Sequence, residues 1–255
     1  MKKFLFLVVA TLIGCMASAQ IVQSTMVTKE KKQRKVEWIL RAGLSIDNFS
    51  GDVVDDYNET CIVNSSFGSK TGYDVSIGYN LPIGRSGIYW GQELGMSSMG
   101  TDMKLDFEDG EYVGKGNFSV TAHRAKLVPI QFGYKYKIKD NIKLDAHVGC
   151  YVSYNFLRSV KYNYEIFKGN EIIFQRDHND DGYHDDDYCF RNLIADFDAG
   201  IHIGIGVWYK RYNLDICYQP SVKKSYDTTR LHQYFDHFYH GAKSQSTIIR
   251  LGVSF

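Results

Sequence analysis

Residues 246–255 read STIIRLGVSF. Thr247, Ile249, Leu251, Val253 and Phe255 fall on one side of an extended chain, and Ser246, Ile248, Arg250, Gly252 and Ser254 fall on the other. Period-two alternation of this kind marks a strand. Domain termini are usually polar and frayed. A strand that runs apolar to a final Phe therefore needs surroundings that satisfy both its apolar face and its backbone edge.

The same pattern recurs upstream, over 36–47, 72–81, 88–97, 128–138, 142–154, 197–208 and 212–219, which with the last stretch gives eight strands. In the first, Val36, Trp38, Leu40, Ala42, Leu44 and Ile46 oppose Glu37, Ile39, Arg41, Gly43, Ser45 and Asp47. In the fourth, Val128, Ile130, Phe132, Tyr134, Tyr136 and Ile138 oppose Pro129, Gln131, Gly133, Lys135 and Lys137. Throughout, one face is apolar or aromatic. The other carries Glu37, Arg41, Asp74, Glu93, Lys135, Lys143, Asp145, His147, Asp198, His202, Asp215 and Arg250 among many glycines. A water-soluble barrel or sandwich would turn its apolar face inward, and this polar face is too charged for a dry core. It suits the lumen of a barrel whose outside meets lipid. Tyr and Trp near strand ends (Trp38, Tyr73, Tyr79, Trp90, Tyr136, Tyr154, Tyr209, Tyr212) suit the two interfaces.

Connections alternate as well. LPIGRSG, KDN and YKRY are short, whereas the segments after the first, third, fifth and seventh strands are long and polar. Short turns at one end, long loops at the other and an even strand number describe an all-β, eight-stranded antiparallel transmembrane β-barrel, with the termini on the periplasmic side. In lipid every backbone group needs a partner, so the sheet must close on itself. The last strand then pairs with the first.

The amino-terminal MKKFLFLVVATLIGCMASAQ has Lys2 and Lys3, an apolar run from Phe4 to Ile13, and Ala17-Ser18-Ala19. This is a secretory signal peptide over 1–19, too short to span a bilayer as a helix. Leu12-Ile13-Gly14-Cys15 also resembles a lipobox, which would place a lipid on Cys15. The well-placed A-x-A favours a cut after Ala19. Residues 20–35 read as a polar periplasmic leader and 36–255 as the barrel. Removing two lysines from 30 basic residues leaves 28 against 29 acidic ones, which gives no argument for nucleic acid. Cys61, Cys150, Cys189 and Cys217 lack C-x-x-C spacing, which argues against a structural zinc site.

On these strands, and on the ending Ile249-x-Leu251-x-Val253-x-Phe255, the chain resembles the PorT-like small outer-membrane β-barrels and, more distantly, OmpA-type and OmpX-type barrels. The resemblance implies an outer-membrane location and lipid contact. It also implies an assembly signal at Leu251, Val253 and Phe255, read by the barrel assembly machinery.

The loops offer less. Asp177, Asn179, Asp181, Tyr183 and Asp185 in DHNDDGYHDDDY match the first half of an EF-hand-like calcium loop, with Tyr188 where the bidentate Glu belongs. A solvated acidic loop is the competing reading, and no other cofactor is expected. His232, Asp236, His237 and His240 form a second cluster, read as an aromatic loop near the headgroups rather than a metal site. Cys61 and Cys189 lie in long loops, where a disulfide is feasible in an oxidising compartment. Cys150 faces lipid and Cys217 the lumen. His147 and His202 face inward among carboxylates and read as part of an ion-pair network. The expected function is a structural or surface-interaction barrel, non-enzymatic and without an open pore, whose extracellular partner the sequence does not name. The alternative is a lipid-modifying enzyme such as a lipid A deacylase.

Overall fold

The computed structural model describes residues 36–50, 61–179, 195–224 and 243–255. Lys35–Phe255 forms one compact unit. The leader and signal-peptide readings, including Cys15, lie outside the described residues. All regular structure among the described residues is strand: β1 (Glu37–Ser50), β2 (Cys61–Pro82), β3 (Ile88–Asp109), β4 (Tyr112–Lys139), β5 (Ile142–Lys168), β6 (Glu171–Asn179), β7 (Phe197–Tyr209), β8 (Tyr212–Pro220) and β9 (Lys243–Ser254). Every pairing is antiparallel, and eight strands close a ring in the order β1-β2-β3-β4-β5-β7-β8-β9. Closure runs from Ile39 opposite Ser254 to Ser50 opposite Lys243. The backbone N–H of Phe255 donates to the Trp38 carbonyl at 3.0 Å, so the apolar last strand is paired on both edges.

The face assignment holds in the structure. Leu44, Ile46, Ile203, Ile205 and Leu251 are exposed on the outer wall, while Arg41, Asp74, Glu93, Asp215 and Arg250 are buried inside. The eight predicted ring strands and the three short turns are present. At one turn, Lys137 donates to Asp140 at 2.7 Å, and this hydrogen bond holds the Asp140 carboxyl below the ordinary carboxylate range. Trp38, Tyr79 and Trp90 form a continuous aromatic patch at the short-turn rim, with centroids 5.5 and 5.8 Å apart.

Two expectations are corrected. Val128, predicted to face outward, is fully buried in the lumen. The register slips so that two residues of β4 oppose one of each neighbour around Val128–Ile130. Pro129 sits in this bulge, where its missing N–H costs no ladder bond. Its carbonyl accepts a 2.9 Å hydrogen bond from Nε2 of Gln92. That bond explains a polar residue on the apolar outer face, because an unpaired carbonyl in lipid would be costly.

The second correction concerns the segments read as long loops after the third and fifth strands, and residues 61–71 before the second, which belong to β2 and place Cys61 in a strand opposite Asp109. Their described residues are largely strand. β3 and β4 continue to a two-residue turn at Gly110–Glu111, and β5 and β6 to one at Gly169–Asn170, where Gly110 (φ 58°) and Gly169 (φ 59°) take the left-handed conformation. β4 has 28 residues, against about 9–11 needed to cross a bilayer. β6 is a ninth strand, added to the outer half of β5.

The physical reason for the misreading is that the pattern inverts along the barrel axis. In the outer part, Met99, Met103, Phe118, Val120, Ala122, Val160 and Tyr162 point inward and are buried. Asp102, Lys104, Asp106, Lys115 and Asn117 point outward and are exposed. Phe118 stacks on Tyr162 at 5.9 Å. This part of the sheet stands in water and packs as a soluble domain does, with each large side chain contributing about 1.5–3 kcal/mol by burial.

Candidate functional site

Each of the eight ring strands sends a polar side chain into one layer of the lumen: Arg41, Asp74, Glu93, Lys126, His147, His202, Asp215 and Arg250, in ring order. The inward glycines clear space for these long side chains. Arg250, fully buried, lies at the centre. Its guanidinium donates to Glu93 at 2.5 Å, to Asp215 at 2.6 and 3.1 Å, and to Asp74 at 3.4 Å. Glu93 also accepts from Arg41 at 2.8 Å, and Lys126 pairs with Asp74. Pairing and hydrogen bonding of this density are what make so many charges tolerable in a closed interior.

Two further layers flank this one. On the outer side, Arg124 donates to Ser97 at 2.7 Å and lies 3.7 Å from Asp198. On the short-turn side, Asp145 accepts from Tyr89 at 2.9 Å and from Trp208 at 3.0 Å, and the Lys135 ammonium sits 3.9 Å over the Trp208 ring.

Beside Arg250, two inward histidines stack at 5.1 Å, and the sulfur of Cys217 lies 3.5 Å from His147 Nε2 and 3.8 Å from His202 Nε2. With Asp145 Oδ1 4.0 Å from His147 Nδ1, the order Cys–His–Asp is that of an activated nucleophile. The sulfur is, however, fully buried. Both histidines thus belong to the interior network, as read from the sequence. Their meeting with Cys217 was not foreseen. The signal was present in the short turns: the Lys210–Arg211 turn sets Cys217 opposite Gly204, and His147 is opposite Gly204 on the other side.

Of the proposed calcium ligands, Asp177 and Asn179 lie in β6, opposite Asn163 and Lys161. Asp177 helps line a depression of about 460 Å³ together with Asp102 and Lys161. Asp181, Tyr183 and Asp185 lie outside the described residues, as do His232, Asp236, His237, His240 and Cys189. Cys150 is exposed on the outer wall and Cys217 is buried, and both are free. Leu251 and Phe255 are 69% and 72% exposed on the outer wall.

The sequence profile described as outer membrane protein beta-barrel domain matches residues 19–227. No curated protein sequence matches the chain. Among solved structures, the chain is similar to the attachment invasion locus protein Ail of Yersinia pestis, crystallised with the heparin analogue sucrose octasulfate. That likeness has 12% identity and a TM-score of 0.34, covering 87% of this chain and 99% of that one. It is also similar to Neisserial surface protein A, at 12% identity and TM-score 0.34, covering 86% and 97%. A third likeness is to the N-terminal barrel of OprF from Pseudomonas aeruginosa, at 10% identity and TM-score 0.32, covering 87% and 98%.

Proposed function

The chain belongs to the outer membrane protein beta-barrel domain family, and from that premise we propose that this bacterial outer-membrane protein is a plugged barrel with a structural or surface-interaction role, non-enzymatic and without an open pore. One observation carries the proposal. Arg250 is fully buried and bonded to side chains of β2, β3 and β8, so the charged layer fills the lumen from wall to wall. A ring of eight strands leaves an interior that side chains just fill.

The outer sheet of β3, β4, β5 and β6 supports the surface role. It carries the polar outward residues of β3 and β4 together with the exposed Ile172, Ile173 and Phe174 of β6, and ends in tight turns, a platform for contact rather than a funnel to a channel. The burial of the Cys217–His147–Asp145 arrangement supports the non-enzymatic reading. Within the family, the proposed placement is PorT-like. Leu251, Val253 and Phe255, on the outer wall of the closing strand, are the proposed contact for the barrel assembly machinery.

Planar-bilayer recording tests the plug. The purified barrel is expected to show no stable conductance steps, and reproducible steps from the wild type would overturn the reading. A shift in lipid A mass on expression would instead favour the lipid-modifying enzyme.

A further inference from the structure

Four potential ligand atoms converge in the lumen. A ring nitrogen of His147, a ring nitrogen of His202 and Cys217 Sγ lie within 4.8 Å of one another. Asp215 Oδ1 is 3.9 Å from His147 Nε2. Zinc bonds of about 2.0–2.3 Å in a tetrahedron put neighbouring ligand atoms about 3.3–3.5 Å apart. The sulfur-to-nitrogen distances here are 3.5 and 3.8 Å. The two sulfur-to-nitrogen distances are therefore within a few tenths of an ångström of those around an ion, and Asp215 Oδ1 would move toward His147 by about half an ångström.

The groups behind them fit as well. Ligating imidazoles donate their second N–H to a carboxylate or carbonyl. His147 Nδ1 faces Asp145 Oδ1 at 4.0 Å. His202 Nδ1 faces the Gln219 amide at 2.6 Å. A half-turn of that amide brings Oε1 to an Nδ1–H and leaves the Nε2 lone pair pointing at the cluster. Gln219 Oε1, His147 Nδ1 and Asp215 Oδ1 are all buried without a hydrogen-bond partner. Such groups are costly in an interior, and an ion held on Nε2, Sγ and Oδ1 gives each of the three a role.

Charge points the same way. The salt-bridge network joined to the cluster contains Arg41, Lys126 and Arg250 against Asp74, Glu93, Asp145 and Asp215, one net negative charge. A Cys217 thiolate makes it two, which a divalent ion neutralises. The Cys217 thiol donates to Asp215 Oδ2 at 3.1 Å and accepts from Arg250 at 3.1 Å, so when an ion replaces the thiol proton Arg250 stays as the counter-charge of the sulfur. Space is reserved by Gly204, where a Cβ would lie 2.8 Å from Cys217 Sγ and collide with His147.

The geometry points to a structural zinc site inside the barrel, with His147, His202, Cys217 and Asp215 as ligands, clamping β5, β7 and β8 together. Nitrogen, thiolate and carboxylate in a tetrahedron select zinc, or cobalt as its spectroscopic substitute, over magnesium or calcium. Full burial means that the ion is taken up before the barrel closes.

The test uses the full chain without a polyhistidine tag, refolded from urea into detergent with cobalt(II). Heat-modifiable gel mobility reports folding. The expected wild-type spectrum has the intense d–d bands of tetrahedral cobalt and a thiolate-to-cobalt charge-transfer band, saturating at one equivalent and bleached by zinc. Cys150→Ser keeps the charge-transfer band and Cys217→Ser loses it. Folded wild type with no such band overturns the proposal, and this outcome does not depend on any variant folding. A charge-transfer band that survives in Cys217→Ser also overturns it. Cobalt on the His232, His237 and His240 segment gives no thiolate band and is thereby distinguished.

Discussion

An arginine placed at Ile203 measures both which face meets lipid and how deep it lies. Ile203 is six residues from Phe197 and six from Tyr209, the two ends of β7. At about 3.3 Å per residue this is about 20 Å of strand on either side. A tilt of about 40° reduces it to about 15 Å along the bilayer normal, half of a hydrocarbon core about 30 Å thick. Ile203 is thus at mid-membrane, facing outward between Val148 and Tyr218. Ile203→Arg is expected to cost about 2–4 kcal/mol, and Val207→Arg, about 10 Å from the midplane, no more than about 1 kcal/mol. Gly204→Arg should fail differently, since even a Cβ there meets Cys217 Sγ at 2.8 Å, and the chain should not fold. Urea titration in lipid vesicles, followed by tryptophan fluorescence and gel mobility, gives the free energies. A neutral Ile203→Arg would refute the face assignment. Equal costs at Ile203 and Val207 would refute the depth.

Three further outcomes follow from particular contacts. Arg250→Met leaves Glu93 and Asp215 buried with fewer partners and should cost about 3–5 kcal/mol in the same titration; adding Asp215→Asn should cost less than the sum of the two single changes, because they share one network. Phe255→Ala removes an exposed ring from the closing strand, so it should lower the amount of assembled barrel in cells while leaving the urea midpoint of the refolded protein nearly unchanged; normal surface levels would remove the case for an assembly contact. The segment from Asp177 to Asp185 should bind calcium no more tightly than about 10⁻⁴ to 10⁻³ M; identical calorimetric heats for wild type and Asp177→Ala plus Asp181→Ala would make it a solvated acidic stretch.

How much of this was legible beforehand depends on how local the signal is. Alternation is a property of neighbouring residues, so the strands, the lipid-facing wall and the charged lumen could be read directly from stretches such as 197–208 and 246–255. Closure followed from the same reading, because an apolar strand in lipid cannot leave an edge unpaired. Short turns carried the register of the hairpins they close.

The tertiary structure decided the rest. Whether Val128 faces in or out depends on the bulge at Pro129, and a bulge is defined by the strands alongside. Residues 99–122 alternate too, but with the polarity of a soluble sheet. The sign of that pattern has meaning only once the height of the lipid is known. The lumen site lies furthest from the sequence. Arg41 and Asp215, or Asp74 and Arg250, meet only because ring closure and strand stagger bring distant strands to one level. The convergence of His147 and His202 on Cys217 is nearer to the sequence, because β5, β7 and β8 are neighbours, but His147 comes into line only through the β5–β7 register, which no short turn sets. Periodicity fixes which side a residue faces, whereas its partner across a barrel is fixed by how far each strand is shifted against the next, and that shift is set by the whole ring at once.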